Sequence, residues 1–190
     1  MSKTKEQKLK LDGKTVVFID YANVYGWRDE LKKPVDPKKL FEYLKKYPEI
    51  EKIYFYYGQD NNPQSKKFLK EIKNLGYNLV SKLVKHMVIG EVNGSPIIKR
   101  KCDFDIEICM TVYQCLEENF QSFLFFTGDG DFEPVYKFLI KRLKNVLVIY
   151  EQGHLGKEIW QITHGLFKTR FSFLNYDQNN PRHSGRGAIK

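Results

Sequence analysis

The run Phe123-Leu-Phe-Phe126 passes without a break into Thr127-Gly-Asp-Gly-Asp-Phe132, and this stretch narrows what the chain can fold into. An apolar, aromatic run bounded this way reads as a buried strand, and the glycines and acids behind it as a tight strand-to-helix turn. Asp129 and Asp131 are then held at a strand's carboxyl end, with glycine on either side of Asp129 so that both side chains can turn toward one point. Such a pair suits a divalent cation. Asp131 has a plainer use as cap of the following helix, with Pro134 in its first turn; that use leaves Asp129 without a role.

Thr15–Asp20 is a second strand, apolar enough for burial on both faces, and its last residue is an acid. Further strands are expected at Lys52–Tyr57, from Tyr77, at Val146–Tyr150 and at Arg170–Leu174. Helices are expected from Pro37 to about Tyr47 with Asp36 before it, from Pro63 to Leu75 with a stop at Gly76, from Asp103 to about Asn119, from Phe132 to Leu143 and from Lys157 to Thr163. This alternation implies parallel strands joined by right-handed crossovers: an α/β fold, a three-layer α/β/α sandwich on a mainly parallel, Rossmann-like sheet. The rhythm breaks once. Lys85–Val92, Asn93-Gly94 and Ser95–Lys101 predict a β-hairpin insert with a type I′ turn, and Pro96 puts its second strand on an edge. Lys82, Lys85, Lys99, Arg100 and Lys101 crowd its base, as a basic flap or as an edge charged against aggregation.

The 190 residues suit one domain, expected over 14–174, with a flexible basic segment at 1–13 and a polar, disordered tail at 175–190. Lysine and arginine number 32 against 23 acids, a net charge of +9 that favours an anionic partner, nucleic acid first, or serves solubility alone. Cys102, Cys109 and Cys115 form neither a disulfide framework nor a zinc pattern and fit reduced thiols. No apolar leader opens the sequence and no run approaches a membrane span, so a soluble cytoplasmic protein with no membrane partner is expected. Exposed aromatics and the edge hairpin leave room for a homodimer.

Open parallel sheets bind ligands outside the carboxyl ends of their strands, where strand order reverses. Asp20 ends the strand Thr15–Asp20 there, first in chain order, and Asp129 and Asp131 follow the strand through Phe123–Phe126, fourth in chain order. Asp105 lies three residues before Ile108, on the extension of an apolar stripe running through Val112 and Cys115, where an unpaired carboxylate is costly. Four acids from three segments repel one another unless cations or raised pKa values relieve them. Carboxylate oxygens are the ligands preferred by Mg²⁺ and Mn²⁺, so one or two such ions are expected, and ions held that way can serve phosphodiester hydrolysis. An acidic pocket on a basic surface suits a polyanion bridged to carboxylates by cations. Tyr56 and Tyr57, on the same rim, either stack the bases of a single strand or pack half-buried.

Three segments together resemble the NYN domains, LabA-like members included, of the PIN-like nuclease superfamily: Val17-Phe-Ile-Asp20-Tyr-Ala-Asn23, Lys101-Cys-Asp-Phe-Asp105-Ile-Glu-Ile108 and Thr127-Gly-Asp-Gly-Asp-Phe-Glu-Pro134. The resemblance spans roughly Thr15 to Leu174. It implies a PIN-like fold and a metal-dependent ribonuclease site in which Asp20, Asp105, Asp129 and Asp131 are the catalytic, metal-binding acids and Asn23 orients the first acid or the substrate. Thr127, Lys85, Arg100, Lys101 and Tyr57 complete the candidate contacts to single-stranded RNA. Thr111 replaces a further acid common among relatives, Thr127 replaces a serine, and no acid is matched near His164. Two other functions stand beside this one. A binding module would keep the fold and hold RNA or protein without turnover. The segment from Gly128 also resembles the magnesium motif of haloacid-dehalogenase phosphatases, but Asp20-Tyr-Ala22 lacks the second acid which their nucleophile needs.

Overall fold

The computed structural model describes residues 8–93, 95–174 and 176; the expectations for 1–7, 175 and 177–190 lie outside them. Six strands form one sheet: β1 (Thr15–Asp20), β2 (Ile50–Gln59), β3 (Asn78–Leu83), β6 (Ser122–Phe126), β7 (Asn145–Tyr150) and β8 (Leu166–Arg170). Their order is β3-β2-β1-β6-β7-β8 and every neighbouring pair is parallel. β4 (Lys85–Val92) and β5 (Ser95–Lys101) form a separate antiparallel hairpin, with Asn93 at φ +52° as the first central residue of a type I′ turn requires.

Side chains alternate across a strand, and here each set has its own core. Val17, Ile19, Phe55, Leu124, Phe126 and Ile149 face α1 (Tyr21–Gly26), α3 (Pro37–Leu44) and α4 (Pro63–Leu75). Val16, Phe18, Tyr56, Phe123, Phe125 and Val148 face α5 (Asp105–Glu117), α6 (Glu133–Lys141) and α7 (Lys157–Trp160). The three-layer α/β/α sandwich follows from that division. Strand order reverses between β1 and β6, whose carboxyl ends lie side by side in the register Ile19–Phe126. A short α2 (Arg28–Leu31) extends α1.

Several boundaries differ from the sequence reading. The last strand is Leu166–Arg170, not Arg170–Leu174; Phe171–Phe173 form a 3₁₀ turn whose Phe171 is buried against Trp27 at 5.6 Å. The alternation Arg-Phe-Ser-Phe imitates a strand, but Gly165, at φ +75°, already turns the chain into the sheet. α7 is shorter than expected because Lys168 Nζ donates to the carbonyls of Ile159, Trp160 and Ile162 and closes its end. α3 stops at Leu44, ahead of Pro48, and α5 starts at Asp105, not Asp103.

Residues 8–12 lie along the body: Leu9 is buried, and Asp12 N donates to Ser122 Oγ at 2.8 Å while that hydroxyl donates back to Asp12 O. Among the described residues no helix is long and apolar enough to cross a membrane.

Candidate active site

Asp20 ends β1 and caps α1, its Oδ1 accepting from the amides of Ala22 at 3.1 Å and Asn23 at 3.4 Å. Asn23 reaches the neighbouring strand's loop, where its Oδ1 accepts from Gly128 N at 3.2 Å. Behind β6, buried Thr127 accepts from Asp129 N through Oγ1 at 3.2 Å. Asp129 accepts from Asp131 N at 3.0 Å and so caps the 3₁₀ turn Gly130–Phe132 that leads into α6. The capping role expected of Asp131 therefore belongs to Asp129, whose extended backbone (φ −68°, ψ 124°) sits one place ahead of the turn; Asp131 is exposed.

The glycines of this loop permit close approach. Gly156 N donates to Gly128 O at 2.7 Å, and a Cβ on Gly128 would lie 1.5 Å from His154 O. A Cβ on Gly130 would meet Glu158 Oε2 at 2.4 Å, so Glu158, in the first turn of α7, lies against the same loop. No acid is matched near His164 in the sequence; Glu158 is an acid brought to this loop by the fold, and no spacing in the sequence marks it. His164 instead bonds Thr163 Oγ1 through Nδ1 at 2.8 Å.

Burial raises Asp20 to a pKa of about 6, and the charges of Asp129 and Asp105 add to that rise against the lowering effect of the two amide donors. Asp105, at the amino end of α5, is also raised, by burial first and then by Asp129, Asp103 and Asp131, with Lys82 opposing. Acids from three segments thus feel one another's charge at the point of strand reversal. Among the described residues no ion pair reaches Asp20, Asp105, Asp129 or Asp131. Tyr136 lies beneath them on α6, fully buried, its hydroxyl without a partner among the described residues and its ionisation opposed by burial and then by Asp129 and Asp20. Helical side chains lean toward the amino end, which carries this phenol toward the acids.

The peripheral candidates divide. Tyr57 is half-buried, 4.8 Å from the ring of Phe68 and 6.0 Å from that of Tyr21, whereas Tyr56 is wholly buried on the α5 side and has no face to offer a base. Arg100 is tied to Asp60 at 2.5 Å, Lys101 to Asp103 at 3.5 Å and Lys82 to Glu107 at 2.5 Å; Lys85 is exposed. Thr111 is buried and donates to Glu107 O at 2.7 Å, a packing role within α5.

The sequence matches the NYN domain family over residues 14–163. This chain belongs to the NYN domain family. The low amplitude and bright protein LabA of Synechococcus elongatus is 28% identical over 149 residues, covering 77% of this chain and 78% of that protein. A crystal structure of a Vibrio parahaemolyticus protein of unknown function superposes with a TM-score of 0.62 at 17% identity, covering 85% of this chain and 96% of the other, a likeness of fold.

The donor chemistry of this NYN domain suits a hard divalent cation: oxygen donors only, mutually repelling, with no cationic side chain among the described residues paired to them. As they stand, no three His, Cys, Asp or Glu side chains among the described residues form a group able to hold a metal ion. The acids share a field without closing on one point.

Proposed function

We propose that this NYN domain is a metal-dependent ribonuclease that hydrolyses phosphodiester bonds of single-stranded RNA with Mg²⁺ or Mn²⁺. The observation that supports this most is Asp20, raised to about 6 by burial and by the charges of Asp129 and Asp105 where the strand order reverses. A carboxylate whose ionisation is opposed by burial first and then by its neighbours' charges is poised to gain from a divalent ion.

Asp20, Asp105 and Asp129 would hold the ion, with Asp131 and Glu158 at the edge of the same loop. When bound, such an ion supplies Lewis-acid activation of water and offsets charge on the leaving oxygen. Asn23 fixes the Gly128 loop against the start of α1, and Thr127 fixes the Asp129 amide, so that the two acids keep a constant relation. The phosphate chain approaches over the basic rim, where Lys85 and Lys101 bias the surface toward a polyanion. Tyr57 remains a stacking candidate through its exposed edge. All three cysteines are free thiols, which suits the cytoplasm as the proposed compartment.

The test is cleavage of labelled single-stranded RNA by the purified chain. Cleavage should require Mn²⁺ or Mg²⁺, stop with chelator, and be lost, without loss of RNA binding, in Asp20→Asn. A second reading, an RNA-binding module without turnover, is favoured by the acids' failure to form a group that could hold an ion. Binding under both metals with no product would establish that reading instead.

A further inference from the structure

The hairpin β4–β5 joins no strand of the main sheet, and its described residues are exposed throughout. Two antiparallel strands alone are marginal in water, so this arm is the part of the fold that most needs a partner.

Opposed residues share a face and successive residues alternate, so the register sorts the arm's cations into two sets. His86 stands opposite Arg100, and both approach Asp60, at 4.0 and 2.5 Å, which pins that face to the loop after β2. Lys85 stands opposite Lys101 and Met87 opposite Lys99 on the other face. There Lys85 and Lys99 have no ion pair among the described residues, and Lys101 reaches only Asp103, at 3.5 Å, two residues before Asp105. Like charges directly opposite destabilise a ladder. Past the irregularity between Val88 and Gly90, Ile97 and Val92 carry the same face outward, exposed and apolar.

We propose that this face of the arm, with Lys85, Lys99 and Lys101 at its base and Met87, Val92 and Ile97 beyond, docks single-stranded RNA and leads it toward the acids. Charge complementarity chooses the occupant: the lysines take phosphates, and the apolar outer half lies against bases. Arg100 is then the pin that orients the arm. The identity of the polyanion rests on the ribonuclease reading; the docking face rests on the hairpin's own register and charge.

The experiment measures binding of a labelled single-stranded RNA by fluorescence anisotropy, with the full chain in chelator so that no turnover intervenes. Lys85→Glu/Lys99→Glu/Lys101→Glu should weaken binding tenfold or more. The slope of log affinity against log salt should fall by roughly two, at about 0.7 per phosphate contact on a single strand. The milder Lys85→Gln/Lys99→Gln/Lys101→Gln should lose the same salt dependence with an unchanged melting temperature. Unchanged affinity and slope in the triple variants, or no RNA binding by the unaltered chain at low salt, would overturn the proposal. So would a dimer, seen by light scattering, that the triple substitution breaks, since the face would then be covered by a second copy. Arm-dependent binding without cleavage in metal would sink the ribonuclease reading alone; cleavage with arm-independent binding would sink this one alone.

Discussion

Asn23 Oδ1 accepts the Gly128 amide at 3.2 Å, joining two segments 105 residues apart. Through that bond the helix capped by Asp20 and the loop carrying Asp129 move as one. Asn23→Ala should cost about 1 kcal/mol in chemical denaturation, the usual worth of such a bond. It should also lower cleavage tenfold or more while leaving RNA affinity within threefold. Equal cleavage by both proteins would mean that the bond is structural only.

The pH dependence of stability has a definite sign. Asp20 is raised to about 6 from an ordinary 3.8, so the native state favours its protonated form. Its contribution is present in full below about 3.8 and is lost as pH rises through about 6. Asp20→Asn keeps a good helix cap and removes the buried charge. It should melt higher than the parent at pH 7.5, by up to about 3 kcal/mol in stability at 1.36 kcal/mol per pKa unit, and converge with it near pH 4. Mg²⁺ or Mn²⁺ should raise the parent's melting temperature at pH 7.5 and leave the Asp20→Asn protein nearly unmoved.

Gly128→Ala should be severe. A Cβ there would lie 1.5 Å from His154 O, a backbone atom that moves only if the 151–156 loop moves and the bond from Gly156 N to Gly128 O breaks. Destabilisation of at least about 2 kcal/mol is expected from this overpacking, together with loss of cleavage. Gly153→Ala is the control for the same loop: a Cβ there meets nothing within 4 Å, and only its φ of +78° resists the change.

Asp60→Asn should loosen the arm without unfolding the body. Asp60 is the partner of Arg100 and His86 at the hairpin's base, whereas the core does not depend on it. Limited proteolysis should cut between residues 85 and 101 several times faster in this variant, with the global melting temperature within about 1 °C, as expected for a local opening.

Much of this architecture is legible in the sequence because local signals and tertiary demands agree. β1, α4 and the two hairpin strands fall on the predicted residues: an apolar run closed by an acid, a proline-to-glycine helix, and Asn-Gly between alternating strands. The last strand is displaced because Phe171 and Phe173 mimic its alternation while the sheet pairs Leu166–Arg170 with β7. At the site, the identity of the acids can be read but their local duties cannot. Whether Asp129 or Asp131 caps the turn depends on which has extended backbone, and no spacing reveals that Glu158 packs on Gly130. Tyr56 and Tyr57 look alike in sequence, yet the two-residue period of β2 sends one into the α5 core and the other to the opposite face.

The most direct measurement is cleavage of labelled single-stranded RNA by the parent and by Asp20→Asn, each with Mn²⁺ and with chelator. Product is expected only for the parent with metal, at least a hundredfold above Asp20→Asn, with equal RNA binding by both. Product that persists in chelator, or at the parental rate in Asp20→Asn, would contradict the proposed function.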